Sequence, residues 1–147
     1  MARDFKTILC PTDFSQPAEH ALEYGLQLAR NSGGTILMIH VIHVPAGDLL
    51  GEEVYTLNFE EAQHRVLDRL KEAQAKQLLC YPKCETLVAI GDPAEEILAL
   101  AASRQVDLIV TGTHGRSGLS HLVMGSVAEK IIRHSSCPVL VVRAGVN

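Results

Sequence analysis

Three glycines and a serine in the C-terminal third set the first chemical expectation. Gly112, Gly115, Gly125 and Ser126 are spaced as G-x2-G-x9-G-S within VDLIVTGTHGRSGLSHLVMGSVAEKII. An apolar, β-branched run precedes them and a helical pattern follows. A strand that leads through a glycine loop into a helix N-terminus can hold phosphate, because backbone N–H groups and the positive end of the helix converge there. Backbone comes this close to an anion only where side chains are missing. Within the loop, Arg116 could pair with a terminal phosphate, and His114 could hydrogen-bond phosphate or face solvent. Loop glycines also serve simply as turn residues, and Ser126 could be no more than a helix cap.

A second cluster ends the first apolar run: Cys10-Pro11-Thr12-Asp13-Phe14-Ser15. Asp13 is an acceptor suited to ribose hydroxyls or an adenine amino group, although it could equally cap the helix that follows. Ligands of parallel sheets bind beyond the carboxyl ends of strands, at a topological switch point. If both clusters serve one ligand, the first and fourth strands must be neighbours. That favours a strand order of 3-2-1-4-5 over 2-1-3-4-5.

Competing motifs fail on single residues. No Lys follows the glycines, so there is no Walker A loop, and no G-x-G-x-x-G follows the first strand. A nucleophile elbow built on Gly115 and Ser117 would need Gly at 119, where Leu119 stands. Ser32-Gly33-Gly34 looks like a pyrophosphatase-type loop but precedes a strand, at the wrong end of the sheet. The seven histidines, His20, His40, His43, His64, His114, His121 and His134, show no zinc-type spacing and read as polar surface and site rim. Cys10, Cys80, Cys84 and Cys137 form no C-x-x-C pair, which suits reduced thiols in a cytoplasmic protein.

Short, continuously apolar runs at 6–11, 35–42, 85–90, 107–112 and 138–142 predict strands covered on both faces. Helical stripes separate them: Ala18, Ala21, Leu22, Gly25 and Ala29; Phe59, Ala62, Val66, Leu70 and Ala73; Ala94, Ile97, Leu98, Ala101 and Ala102; and Val127, Ile131 and Ile132. The alternation predicts an α/β fold, an open, doubly wound, five-stranded parallel sheet with helices on both faces. Asp92-Pro93 with Glu95 reads as a helix start, Ser126 with Glu129 as a capping box, and Ser32-Gly33-Gly34 as a helix end. The stretch 43–57 is expected to be a surface loop. At 147 residues the chain suits one domain, 1–147. Aromatics are only 4% and Trp is absent, so aliphatic side chains must build the core. The net charge of −4 argues against general affinity for nucleic acid or anionic membrane. No apolar run approaches the ~18–20 residues of a membrane span, and MARDFKTILC lacks the apolar region of a signal peptide.

ILCPTDFSQPAEHALEYGLQLA, His40-Val41, GDPAEEI and VDLIVTGTHGRSGLSHLVMGSVAEKIIRHSSCPVLVV together resemble a universal stress protein of the ATP-binding subclass, over nearly the whole chain. The resemblance implies the same 3-2-1-4-5 sheet, with ATP between strands 1 and 4. It implies that Pro11, Thr12 and Asp13 contact adenosine, that Val41 meets adenine through its backbone, and that Gly112, Gly115, Gly125, Ser126 and Val127 hold ribose and phosphates. Thr113, His114 and Arg116 fill the variable positions beside them. It further implies Mg or Mn bridging the phosphates and a homodimer formed through the last strand, about Val139 to Val142. The implied role is a nucleotide-dependent stress-response or signalling module. The alternative is a slow ATPase or nucleotidyl-transfer enzyme on the same site. A phosphoacceptor receiver domain fits less well: a second acid beside Asp13 is missing, and Arg143 follows the last strand in place of Lys.

Overall fold

The computed structural model describes residues 4–44, 52–77 (52–58 as backbone), 81–113 and 124–143. Strands and helices alternate as β1 (Thr7–Pro11), α1 (Gln16–Ser32), β2 (Thr35–His43), α2 (Glu52–Gln77), β3 (Cys84–Gly91), α3 (Pro93–Ser103), β4 (Leu108–Gly112), α4 (Ser126–His134) and β5 (Val139–Val142). The strands form one parallel sheet in the order β3-β2-β1-β4-β5, as the two motif-bearing strand ends require.

Alternation along each strand sorts the core into two layers. Ile8, Cys10, Ile36, Met38, Leu108 and Val110 face α1 and α2, where Leu22, Leu26, Ala29 and Leu70 complete the packing. Leu9, Leu37, Ile39, Val41 and Ile109 face α3 and α4, where Ile97, Ala101 and Ile131 meet them. Both faces of the central strands are thus covered, which is why their sequences are continuously apolar. The chain winds outward from β1 through β2 to β3, then crosses to the other side of β1 to add β4 and β5. The switch point lies between β1 and β4.

Gly25 lets α1 approach β1 closely. A Cβ built on it would lie 2.6 Å from the Cys10 sulfur. Asp107 ties the lower ends of β1 and β4 together, its carboxylate accepting from the Lys6 and Thr7 amides at 3.0 and 2.9 Å. At the end of α3, Arg104 holds Glu85 of β3 through both carboxylate oxygens, at 3.2 and 2.6 Å.

Most helix ends follow their sequence signals. Asp92 caps α3 by accepting from the Glu95 amide at 3.0 Å. Gly33 closes α1 in a left-handed conformation, with φ of 69°. Two expectations need correction. The N-cap of α4 is Gly125, not Ser126, so the S-x-x-E capping box does not form. Ser126 is already helical, and the Glu129 amide donates to the Gly125 carbonyl at 3.0 Å. The stretch 43–57 is not one loop either: β2 runs to His43 and α2 begins at Glu52. Glu52 and Glu53 suit the positive N-terminal end of a helix, and no Gly or Pro interrupts 52–57. Residues 45–51 lie outside the described residues. Among the described residues no helix is long and apolar enough to cross a membrane.

Candidate functional site

The carboxyl ends of β1, β2 and β4 open into a cleft of about 450 Å³. This lies within the roughly 300–1,000 Å³ that small-molecule sites occupy. Ile39, Val41, Pro93, Ile97 and Ala128 form its apolar lining, and Thr12, Asp13, His40, Thr113 and Ser126 its polar lining. An apolar slot edged by polar groups suits a ligand with a flat hydrophobic part and a hydrophilic remainder.

One wall is the loop from β1 to α1, held by its own short hydrogen bonds. The Thr12 amide donates to the Ile39 carbonyl at 2.8 Å, carrying the β1–β2 ladder one residue past the strand. The Phe14 amide donates to the Thr12 hydroxyl at 3.0 Å. The Ser15 amide donates to the Asp13 carboxylate at 3.0 Å, and the Ser15 hydroxyl bonds the same oxygen. Ser15, not Asp13, is the N-cap of α1, accepting from the Ala18 amide at 3.3 Å. Asp13 therefore braces the cap through an Asx turn while lining the cleft.

The opposite wall comes from β4 and α4. The Thr113 amide donates to the Val142 carbonyl at 3.2 Å, and the Gly125 amide to the Thr113 carbonyl at 2.7 Å. The two ends of the glycine loop are thus joined directly, bringing Gly112 and the start of α4 together. Gly112 also has a packing reason to be glycine: a Cβ there would lie 3.2 Å from the Pro17 carbonyl oxygen of α1. Gly125 caps α4 without a side-chain hydrogen bond. The first turn of α4 consequently borders the cleft at Ser126 and Val127.

Pro11, Thr12, Asp13, Val41, Gly112, Thr113, Gly125, Ser126 and Val127 all line this one cleft. His114, Gly115 and Arg116 lie outside the described residues. His40 and His43, read from the sequence as rim histidines, line the cleft as well. Pro93 and Ile97 were not foreseen there. Their signal lay in GDPAEEI, which follows β3 at the same end of the sheet as the other two motifs.

Cys10 precedes Pro11 on β1, its side chain buried in the core layer that faces α1. Burial, and secondarily Cys84, push its thiol up to about 12, so it stays protonated and is no nucleophile at neutral pH. Cys84 is pushed to about 11, by burial and then by the Glu85 charge. Among the described residues no group of three or more His, Cys, Asp or Glu is placed to hold a metal ion.

A family model described as the universal stress protein family matches residues 4–143. A universal stress protein of Thermus aquaticus is 38% identical over 141 residues, spanning 95% of this chain and 99% of its own. The solved structure of protein MJ0577 of Methanocaldococcus jannaschii matches with a TM-score of 0.83 at 29% identity, over 99% of this chain and 100% of that one. A more distant structure, a universal stress protein in complex with cAMP, shares the fold with a TM-score of 0.73 at 21% identity, over 96% of this chain and 98% of that one.

Proposed function

The chain belongs to the universal stress protein family, and from that premise we propose that it is a nucleotide-binding module of the ATP-binding subclass. One observation carries the proposal: Asp13 on the β1 wall and Gly112, Gly125 and Ser126 on the β4–α4 wall line the same cleft over the switch point. Adenine lies against Ile39, Val41 and Ile97, ribose beside Asp13, and the phosphates at the first turn of α4. There the N-terminal amides and the helix dipole favour negative charge. The distant relative in complex with cAMP supports a ligand that joins adenine, ribose and phosphate.

The donor set suits Mg or Mn carried in by the nucleotide. Among the described residues the cleft wall offers one carboxylate, Asp13, so the ion would take its ligands chiefly from the phosphates. When bound, it neutralises phosphate charge. The chain's own residues bind and orient the ligand. On this reading the module holds ATP and passes its state on to partners. We also propose a cytoplasmic homodimer. One of the two outer edges of the sheet is β5, four residues long, with Leu140 exposed upon it.

Calorimetric titration of nucleotide-free protein with ATP, ADP and AMP, with and without Mg, tests the proposal. Saturable binding of ATP, lost in Gly125→Val with the fold intact by circular dichroism, is the expected result. No heat with any nucleotide, and none co-purifying, would refute it.

A further inference from the structure

Phe14 adopts a backbone conformation that its side chain does not favour, with φ of 64°. A bulky residue in the left-handed region is strained and persists only where its surroundings hold it. Two groups from distant parts of the chain do so. On one side the His40 ring of β2 lies 4.9 Å from the Phe14 ring, tilted by 30°. The Arg69 guanidinium of α2 stands 4.0 Å from the centre of the Phe14 ring. The column continues into the cleft wall. His40 Nδ1 lies 2.8 Å from the Thr12 carbonyl oxygen. A carbonyl oxygen can only accept, so Nδ1 carries the proton and donates it there.

Left-handed geometry at Phe14 turns the chain between Asp13 and Ser15, allowing the Ser15 amide to reach back to the Asp13 carboxylate. The side chains that hold Phe14 therefore hold the loop that presents Thr12 and Asp13 to the cleft. We propose that Arg69, Phe14 and His40 act as a positioning column for the nucleotide site, and that Arg69 sets ligand affinity from α2 without lining the cleft. The inference rests on the nucleotide-binding reading for its effect on affinity, but its effect on the loop is independent of any ligand. It makes α2 a route by which an event on the outer surface of the molecule alters the site.

The test uses the full chain, as wild type and as Arg69→Met, which keeps an unbranched apolar stem and removes the cation. A cation over an aromatic face at an exposed site is a modest interaction, and its loss is expected to weaken ATP binding up to about five-fold. Arg69→Lys keeps a charge over the ring and should recover part of the affinity. For the donor, His40→Asn keeps an N–H within reach of the Thr12 carbonyl and should bind better than His40→Ala. Amide hydrogen exchange of the ligand-free proteins is the second readout. Faster exchange at Phe14 and Ser15 in Arg69→Met, with the β2 and β3 amides unchanged, is expected. If Arg69→Met alters neither exchange at these amides nor ATP affinity, the column does not position the loop and the proposal falls. If exchange rises while wild type binds no nucleotide, positioning stands and the nucleotide-binding reading fails. Uniformly faster exchange across the sheet would mean that Arg69 only stabilises the fold, which also overturns the proposal.

Discussion

Replacing Gly25 by Ala probes how tightly α1 is set against the sheet. The new Cβ would lie 2.6 Å from the Cys10 sulfur, where real Cβ contacts below 3.0 Å are essentially unknown. Cys10 is buried on a central strand and has little room to retreat. Overpacking of this kind costs about 1–3 kcal/mol. Alanine in place of glycine in a helix interior returns about 0.5–1 kcal/mol. The net effect is a loss of up to about 2.5 kcal/mol. Removing the sulfur changes the sign. In a Cys10→Ala background the clash is gone, and Gly25→Ala should stabilise by about 0.5–1 kcal/mol through helix propensity alone. The coupling energy between the two sites is therefore the clash itself, about 1–3 kcal/mol. Urea unfolding of the four proteins, followed by far-ultraviolet circular dichroism because the chain has no Trp, measures it. An equal effect of Gly25→Ala in both backgrounds would refute the reasoning, since Cys10 would then not limit the approach of α1.

The buried thiols make stability fall in alkali. Folded Cys10 ionises near 12 against an ordinary 9, so its contribution is complete below about 9 and is lost as pH rises through 12; Cys10→Ala should flatten that decline in urea midpoints. In alkylation mapped by mass spectrometry at pH 8, Cys10 should react only as fast as the protein unfolds. The Arg104 pair holds the Glu85 carboxyl below its usual range, first through hydrogen bonds. Its stabilisation is thus present above the ordinary carboxylate range and fades as pH falls through the lower, folded value. Glu85→Gln should narrow the difference between urea midpoints at neutral and acid pH, and only modestly, because the pair is exposed. For the proposed homodimer, Leu140→Lys on β5 should shift sedimentation from dimer to monomer without altering the circular dichroism spectrum; a wild type that sediments as a monomer refutes the dimer, and a dimer that survives the substitution does not use this edge.

The strand order was legible because two chemically unusual strand ends had to meet. CPTDFS and TGTHG make sense as one site only if β1 and β4 are adjacent, and they are. The central strands β1, β2 and β4 were visible as continuous apolar runs, the mark of elements covered on both faces, whereas edge strand β5, read the same way, leaves Leu140 exposed. Asp92 was visible as a cap because Pro93 follows it and Glu95 supplies the amide. The cap of α4 was misplaced by one residue, since both Gly125 and Ser126 are accepted at an N-cap and only backbone angles separate them. The start of α2 was hidden because an amphipathic stripe becomes plain only from Phe59 onward. The Phe14–His40–Arg69 column left no signal at all. Its members sit on three separate segments, and no local pattern announces a left-handed phenylalanine.

The sheet is least laddered under the cleft. β1 pairs with β4 at two register positions, Ile8 with Leu108 and Leu9 with Ile109. β1 and β2 pair over five, and β2 and β3 over eight. The better-laddered part, β1 to β3, is also contiguous in the chain and emerges first during synthesis. The join to β4 must wait for more than a hundred residues, since Asp107, which fastens its lower end, bonds amides a hundred and more positions earlier. Closing so long a loop makes this join a late event in folding. The proposed nucleotide, spanning both walls, would fasten this late and least-laddered joint, so that its occupancy would depend on the join to β4 being made.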